Sequence, residues 1–243
     1  MQDRFVGDVG DFGKLLLLRS LTSTTNLRLS VLWYRTPDET HDNAGKHTNL
    51  KKLEHLDPPL AQALYAVTAS GSRTIERLES LGLLPQETRF HRENLHFPKS
   101  MPFFQRRQLR DAWLKNAISS ADDCDLVFFD PDNGLRMSSE KCLHAKGWQY
   151  VYCEDLKSLW ADGKSLLIYH HLNRSCSAEQ QIKNETDELQ QAFPDAGIEP
   201  FHFRRGTGRV YLLLVQNRHR SKIVHWISDF RASPAHDELH RKS

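Results

Sequence analysis

Residues Leu126–Leu135 read LVFFDPDNGL. Four apolar residues in a row, Leu126-Val127-Phe128-Phe129, give way at once to two aspartates, a proline, an asparagine and a glycine. Side chains of a strand alternate between faces, so a continuous apolar run implies a strand covered on both sides. The proline and the Asp-Asn-Gly run then end it. Sheets covered on both faces are mostly parallel, and in such open sheets ligands bind beyond the carboxyl ends of the strands. Asp130 therefore stands where an α/β sheet of this kind keeps its chemistry, although Asp-Asn-Gly is also an ordinary turn signal.

The remaining pattern agrees with that class. Apolar runs at Leu29–Tyr34 and Ser165–His170 read as two more strands, and Thr88–Asn94 as a short one. Ile198–Arg204 and Arg209–Gln216 read as strands joined by RRGTG, a hairpin signal. Tyr150–Cys153 reads as a strand or a lead-in to the helix over Glu154–Ala161. Helical spacing appears over 11–22 with Asp11 as N-cap, over Gln105–Ala121, over Ala178–Phe193 and over Ser221–Phe230. The stretch 50–84 is helical, broken at Asp57–Pro59 and Ser70–Ser72, and reads as an insertion or cap. The tail after Ser233 is expected to fray. Residues 1–243 thus form one doubly wound α/β domain with a mixed sheet, a C-terminal β-hairpin and a helical insertion.

Composition narrows the partners. Thirty-three Lys and Arg against 31 Asp and Glu leave a net charge of +2, so no global charge draws the chain to nucleic acid. No apolar run approaches the ~18 residues of a membrane span. The acidic, glycine-punctuated start MQDRFVGDVGDFGK is not a signal peptide, and Cys124, Cys142, Cys153 and Cys176 form no CxxC pair. A cytoplasmic protein with reduced thiols is the expectation.

Three expected strand ends lead into dense polar sequence. The first carries Asp38, Glu39, Asp42, Asn43, Lys46 and His47, the second Asp130-Pro131-Asp132-Asn133-Gly134, the third Tyr169-His170-His171 and Asn173-Arg174. The candidate catalytic residues are Asp130, Asp132, Asn133 and His170. Candidates for holding a cofactor are Lys14, Asp8, Asp38, Lys46 and Tyr169.

A strand ending Asp-Pro, a later strand ending Tyr-His, then a helix and a terminal hairpin resemble the second half of class I S-adenosylmethionine-dependent methyltransferases. Asp130-Pro131 stands at the position of the DPPY motif of the amine-methylating members. VGDVGDFGKLLLLRSL resembles the AGNxxDxxKH helix entry of bacterial large-subunit ribosomal RNA adenine-N6 methyltransferases, with Lys14 at the lysine that lies against the cofactor. SLLIYHHLNR is similar to their strand ending WYPV. The set DRFVGD, DFGK, FFDPDNG and YHHLNR also resembles a bacterial family that carries these segments together. The resemblance covers the second half of the chain and some twenty N-terminal residues. It implies a Rossmann-like fold, S-adenosylmethionine as cofactor and an amine of a nucleic-acid base as acceptor. There the aspartate and the proline carbonyl accept from the amine while the aromatic stacks on the flipped base. Asp132-Asn133 replace Pro-Tyr here, leaving Phe128 or Tyr169 as nearby aromatics. TPDETHDNAGKH, with the single glycine Gly45, stands where a GxGxG loop is usual, and Glu93 is the nearest acidic residue for the ribose hydroxyls.

Other chemistries fit parts of the chain. Pro131-Asp132 followed by Asp155-Leu156-Lys157 matches the PD…(D/E)xK nuclease pattern, in which Asp132 and Asp155 would hold Mg²⁺ and Lys157 would steady a phosphate. A binding domain without catalysis would also lack the glycine loop. GDVGDFGK is no P-loop, because Asp8 and Leu15 occupy the glycine and Ser/Thr positions; Gly7, Gly10 and Gly13 instead allow close backbone approach. Arg106, Arg107 and Arg110 on one helix and the run RRGTGR at Arg204–Arg209 read as solvated basic faces or as local contacts to RNA or DNA.

Overall fold

In the computed structural model, Leu126–Asp130 is a strand buried at every residue, and both its neighbours run parallel to it. The structure describes residues 1–38, 45–144, 146–205 and 208–240, the His240 side chain apart. Glu39, Asp42, Asn43 and the tip of the RRGTG turn lie outside the described residues. The chain order is α1 (Val9–Thr25), β1 (Leu29–Trp33), α2 (Pro58–Ala69), α3 (Ile75–Ser80), β2 (Arg89–His91), α4 (Phe103–Ser119), β3 (Leu126–Asp130), β4 (Gly134–Arg136), β5 (Tyr150–Tyr152), α5 (Cys153–Ala161), β6 (Ser165–His171), α6 (Ala178–Ala192), β7 (Gly197–Phe203), β8 (Arg209–Val215), α7 (Arg220–Arg231) and α8 (Pro234–His240). Six strands form one mixed sheet in the order β2-β1-β3-β6-β8-β7. The first four are mutually parallel, and β8 runs antiparallel to both β6 and β7. The fold is α/β with helices on both faces, compatible with a Rossmann-like sheet.

Strand alternation sorts the core into two layers. Leu29, Val31, Trp33, Leu126, Phe128, Leu167, Tyr211 and Leu213 face Leu15 and Leu18 of α1, Leu64 of α2, Leu78 of α3 and Trp226 of α7. Leu32, Val127, Phe129, Leu166, Ile168, Leu212 and Leu214 face Trp113 of α4, Leu156 of α5 and Leu189 of α6. Each layer buries large apolar side chains, each worth roughly 1.5–3 kcal/mol relative to exposure.

Several expectations change. The helical residues 50–84 lie between parallel β1 and β2 and belong to the crossover connection that a parallel pair requires. Asp8, not Asp11, caps α1: its side chain accepts the Asp11 N–H at 2.9 Å. Pro234–His240 of the tail is helical rather than frayed, with Leu239 fully buried and its carbonyl accepting the Arg204 N–H at 2.9 Å. β5 agrees with the strand reading of Tyr150–Cys153, while its parallel partner β4 is additional and too short for periodicity to show. On α4 the buried line is Arg106, Arg110, Trp113 and Ala117. Two of the three arginines of the supposed basic face therefore lie inside. Arg106 donates to the carbonyls of Met101, Leu143 and Lys99, and Arg110 pairs with Asp155. Only Arg107 of the three remains exposed.

Candidate functional site

Asp130 shares its strand face with Leu126 and Phe128, so it points toward α1. There it meets Lys14, whose Nζ stands 2.9 Å from Asp130 Oδ2 and 2.8 Å from Asp11 Oδ1. Asp11 and Lys14 are three residues apart on α1 and so share a face. All three are almost fully buried, at 2–4% exposure. The Lys14 ammonium also lies 5.0 Å from the centre of the Trp33 ring and 3.6 Å from Met1 Sδ. Trp33 pairs with Asp130 in the sheet register, which places that ring beside the carboxylate's strand end. Burial alone would lower the Lys14 pKa, but Asp11 and Asp130 outweigh it and hold the ammonium above the ordinary lysine range. The motif residues Lys14 and Asp130, 116 positions apart, thus close one ion pair at the end of the sheet's interior strands.

The residues after Asp130 are fixed by amides. Asp132 Oδ2 accepts from Gln2 Nε2 and from Gln149 Nε2, each at 3.0 Å. Asn133 Nδ2 donates to Gln149 Oε1 at 3.0 Å, and the Asn133 N–H donates to the Gln149 carbonyl at 2.9 Å. The Asn133 carbonyl accepts the His171 N–H at 3.2 Å, tying this corner to β6. Gly134 permits the turn: its φ is +119°, and a Cβ there would come within 2.8 Å of His170 Cα.

Between α1, the Asp130–Asn133 corner and the start of β8 lies a cavity of about 550 Å³. Its wall carries Asp8, Asp11, Asp130 and Asp132 with Lys14 and Arg209, and the aromatic or apolar groups Phe5, Val9, Tyr169 and Tyr211. Tyr169, Arg209 and Tyr211 are there for the same alternation that turns Asp130 inward. The Arg209 guanidinium lies 5.9 Å from the Tyr169 ring centre and 5.2 Å from that of Phe203. Burial, then Asp11, pushes the Asp8 carboxyl up to about 6 against the opposing pull of Arg209. Burial likewise raises the phenols of Tyr169 and Tyr211, so both stay protonated donors at neutral pH.

Lys14, Asp8, Tyr169, Asp130, Asp132 and Asn133 from the sequence-based set all line this cavity. His170 does not. It belongs to the opposite face of β6, where its Nδ1 accepts the Leu135 N–H at 3.2 Å and its Nε2 faces Glu185 at 3.8 Å. His171, one residue on, is the histidine at the cavity. Asp38 is exposed and accepts the Arg4 N–H at 3.1 Å, and Lys46 is exposed; neither lines the cavity, although Gly45 does. Glu93 holds Asn116 at 2.9 Å, away from the site, and Phe128 is core. Asp155 also stands apart: it accepts the Tyr152 N–H at 2.9 Å and pairs with Arg110, while Lys157 pairs with Glu154 on the surface. Asp132 and Asp155 are therefore not brought together at the cavity, and among the described residues no group of three metal-ligating side chains forms.

Asp11, Gln2, Gln149 and Arg209 were not among the residues chosen from sequence, and His171 stood only in the polar cluster at the end of its strand. For Asp11 a signal existed, since an aspartate three residues before Lys14 shares its helix face. Gln2 and Gln149 carry none, because they reach Asp132 only through tertiary contact. Comparison with protein-family models, with curated proteins and with solved structures finds no match to this chain.

Proposed function

We propose that this protein binds S-adenosylmethionine in the cavity above β1, β3 and β6 and transfers its methyl group to an amine presented beside Asp130 and Asp132. The single observation that carries the reading is the Lys14–Asp130 pair at 2.9 Å. The two segments whose resemblance pointed to this class, one at each side of the chain, converge on one cavity wall. The mixed sheet ending in an antiparallel hairpin supports the same reading.

The residues present fit such a cofactor. The volume lies within the roughly 300–1,000 Å³ of small-molecule sites. The Asp132 carboxylate can accept from an amine, and Phe5, Val9, Tyr169 and Tyr211 offer apolar and aromatic surface for a nucleoside. The cofactor supplies an electrophilic methyl group on a positively charged sulfur. Such transfer depends on alignment more than on acid–base chemistry, so the chain's task is positioning. Lys14 holds Asp130 fixed, with Asp11 as the counter-carboxylate. Asp132, half-buried and braced by Gln2 and Gln149, accepts from the acceptor amine and orients its lone pair. Pro131 lines the same cavity. Tyr169, facing the cavity, is the aromatic available in place of the motif's missing tyrosine.

The test is transfer of label from methyl-labelled S-adenosylmethionine to total RNA, DNA and protein taken from cells lacking the gene. Labelling of one fraction, reduced at least tenfold by Asp132→Asn, is the expected result. Cofactor binding without label in any fraction would leave a binding domain and refute transfer.

A further inference from the structure

Outside the cavity, we propose that the first turn of α4 and the segment beside it form a surface for single-stranded nucleic acid, with bases stacked on Phe103 and Phe104 and phosphates met by Lys99, Arg107 and Lys141. The two phenylalanines are adjacent in sequence and 57% and 62% exposed; Val224 on α7 is the other large apolar side chain left in solvent among the described residues. A single exposed apolar residue is ordinary, whereas an adjacent pair of rings marks a contact surface. Phe103 is held as a fixed platform. The Arg106 guanidinium lies 5.3 Å from its ring centre, and the His144 ring meets it edge-on at 5.8 Å. Arg106 is buried and anchored by the carbonyls of Met101, Leu143 and Lys99, so it ties the rings to both neighbouring segments.

Cations frame these rings. The Lys99 carbonyl accepts from Arg106, Arg107 follows Phe103 and Phe104 by one helical turn, and the Lys141 carbonyl accepts the His144 N–H at 3.1 Å. The side chains of Lys99, Arg107 and Lys141 are exposed. No acidic residue stands in the first turn of α4, and the acidic residues of 98–111 and 138–149 are Asp111 and Glu140. The charge therefore suits a polyanion. A second copy of the chain fits less well, because a two-fold contact centred on the rings sets Lys99, Arg107 and Lys141 against their own copies. Gln105 and Gln108, exposed on the same helix, suit base edges and not lipid tails. Aromatic faces with a few cations are what sequence-tolerant single-strand binding requires, since every base has a π-face. Beyond His144 the same segment reaches Lys146 and Gln149, which line the cavity, so a strand laid on the rings leads toward the Asp132 corner.

Fluorescence anisotropy with labelled oligouridylate, oligothymidylate and a duplex of the same length provides the test. It is run without cofactor, so its result is separable from the methyl-transfer reading. Both single strands are expected to bind at micromolar protein, and the duplex, whose bases are already stacked, at least about tenfold more weakly. Contact with three phosphates implies a salt slope of roughly −2, so affinity should fall roughly fifteenfold between about 50 and about 200 mM salt. Phe103→Ala and Phe104→Ala should each weaken single strands about tenfold or more, and Lys141→Gln should flatten the slope by about 0.7. These side chains are exposed, so the variants should melt with wild type. Val224→Ala, on a helix that packs on the other face of the sheet, should change nothing. Failure of both single strands to bind at millimolar protein, or binding that both phenylalanine variants leave intact, would overturn the proposal. So would sedimentation with phosphatidylserine vesicles, or self-association in the ultracentrifuge, that the phenylalanine variants abolish while no oligonucleotide binds, since the rings would then serve a membrane or a second copy.

Discussion

Replacing Lys14 with methionine tests whether the buried triad is built as described. The side chain keeps nearly the same length and volume, so packing against Trp33 and Met1 survives and the charge alone is lost. Asp11 and Asp130 would then face each other at 2% and 4% exposure without their counter-ion. Removing one partner of a buried ion pair costs about 3–5 kcal/mol, because it leaves an uncompensated charge. For a domain of this size each kcal/mol moves Tm by roughly 2–4 °C, so a drop of roughly 6–20 °C is expected at pH 7.5. The sign with pH follows. Lys14 is held above the ordinary lysine range, so its contribution is complete at neutral pH and fades only in strong alkali. In Lys14→Met the exposed liability is a pair of carboxylates, which protonation relieves, so the deficit should shrink as pH falls toward 5. Adding Asp130→Asn should restore part of the loss, with a coupling of at least about 1 kcal/mol between the two changes. Thermal melts followed by circular dichroism at pH 5 and pH 7.5 provide the assay. A Tm change under 2 °C, or a deficit independent of pH, would refute the buried triad.

Arg110→Met should cost about 3–5 kcal/mol by stranding Asp155, whereas Arg107→Ala on the exposed side should fall within about 0.5 kcal/mol of wild type; urea unfolding distinguishes them. Burial, then His171, lowers His170 to about 4 from the ordinary 6.5. Its contribution is therefore complete above pH 6.5 and lost as pH falls toward 4, and His170→Gln should flatten the acid limb of a stability–pH curve. Asp8 works in the opposite sense: with its carboxyl raised from 3.8 to about 6, its stabilisation is complete below pH 4 and lost through pH 6. Asp8→Asn should gain on wild type across that window, by on the order of 2 kcal/mol. Gly134→Ala should lose on the order of 2 kcal/mol or more, measured in the same melts, because φ +119° is strained for alanine and its Cβ meets the His170 backbone.

The α/β class was legible because Leu126–Phe129 and Leu166–Ile168 are apolar on both faces, a pattern that water-facing strands do not carry. Asp130 at the end of such a run could be placed without any structure. So could the approach of backbone to neighbours near Gly10 and Gly13, which in the fold abut Arg209 and the Phe203 ring. Alternation also held the answer for His170 and His171: in phase with Leu167, the residues turned to α1 are Tyr169 and His171, not His170. The burial of Arg110 was not legible, because its partner Asp155 lies 45 residues away and nothing local marks the pairing. Arg209 was hidden for a different reason. Within RRGTGR it looks like one of three equivalent charges, and only the pairing of β8 with β6 turns it inward while Arg205 binds Glu238 at 2.8 Å. No helix among the described residues is long and apolar enough to cross a membrane.

Calorimetric titration of the wild-type protein with S-adenosylmethionine, with and without Mg²⁺, tests the central claim most directly. The account expects saturable binding at micromolar concentration, indifferent to Mg²⁺. No binding up to millimolar cofactor, together with a Mg²⁺ or Mn²⁺ heat that Asp132→Asn abolishes, would contradict it and return the weight to metal-dependent phosphodiester chemistry.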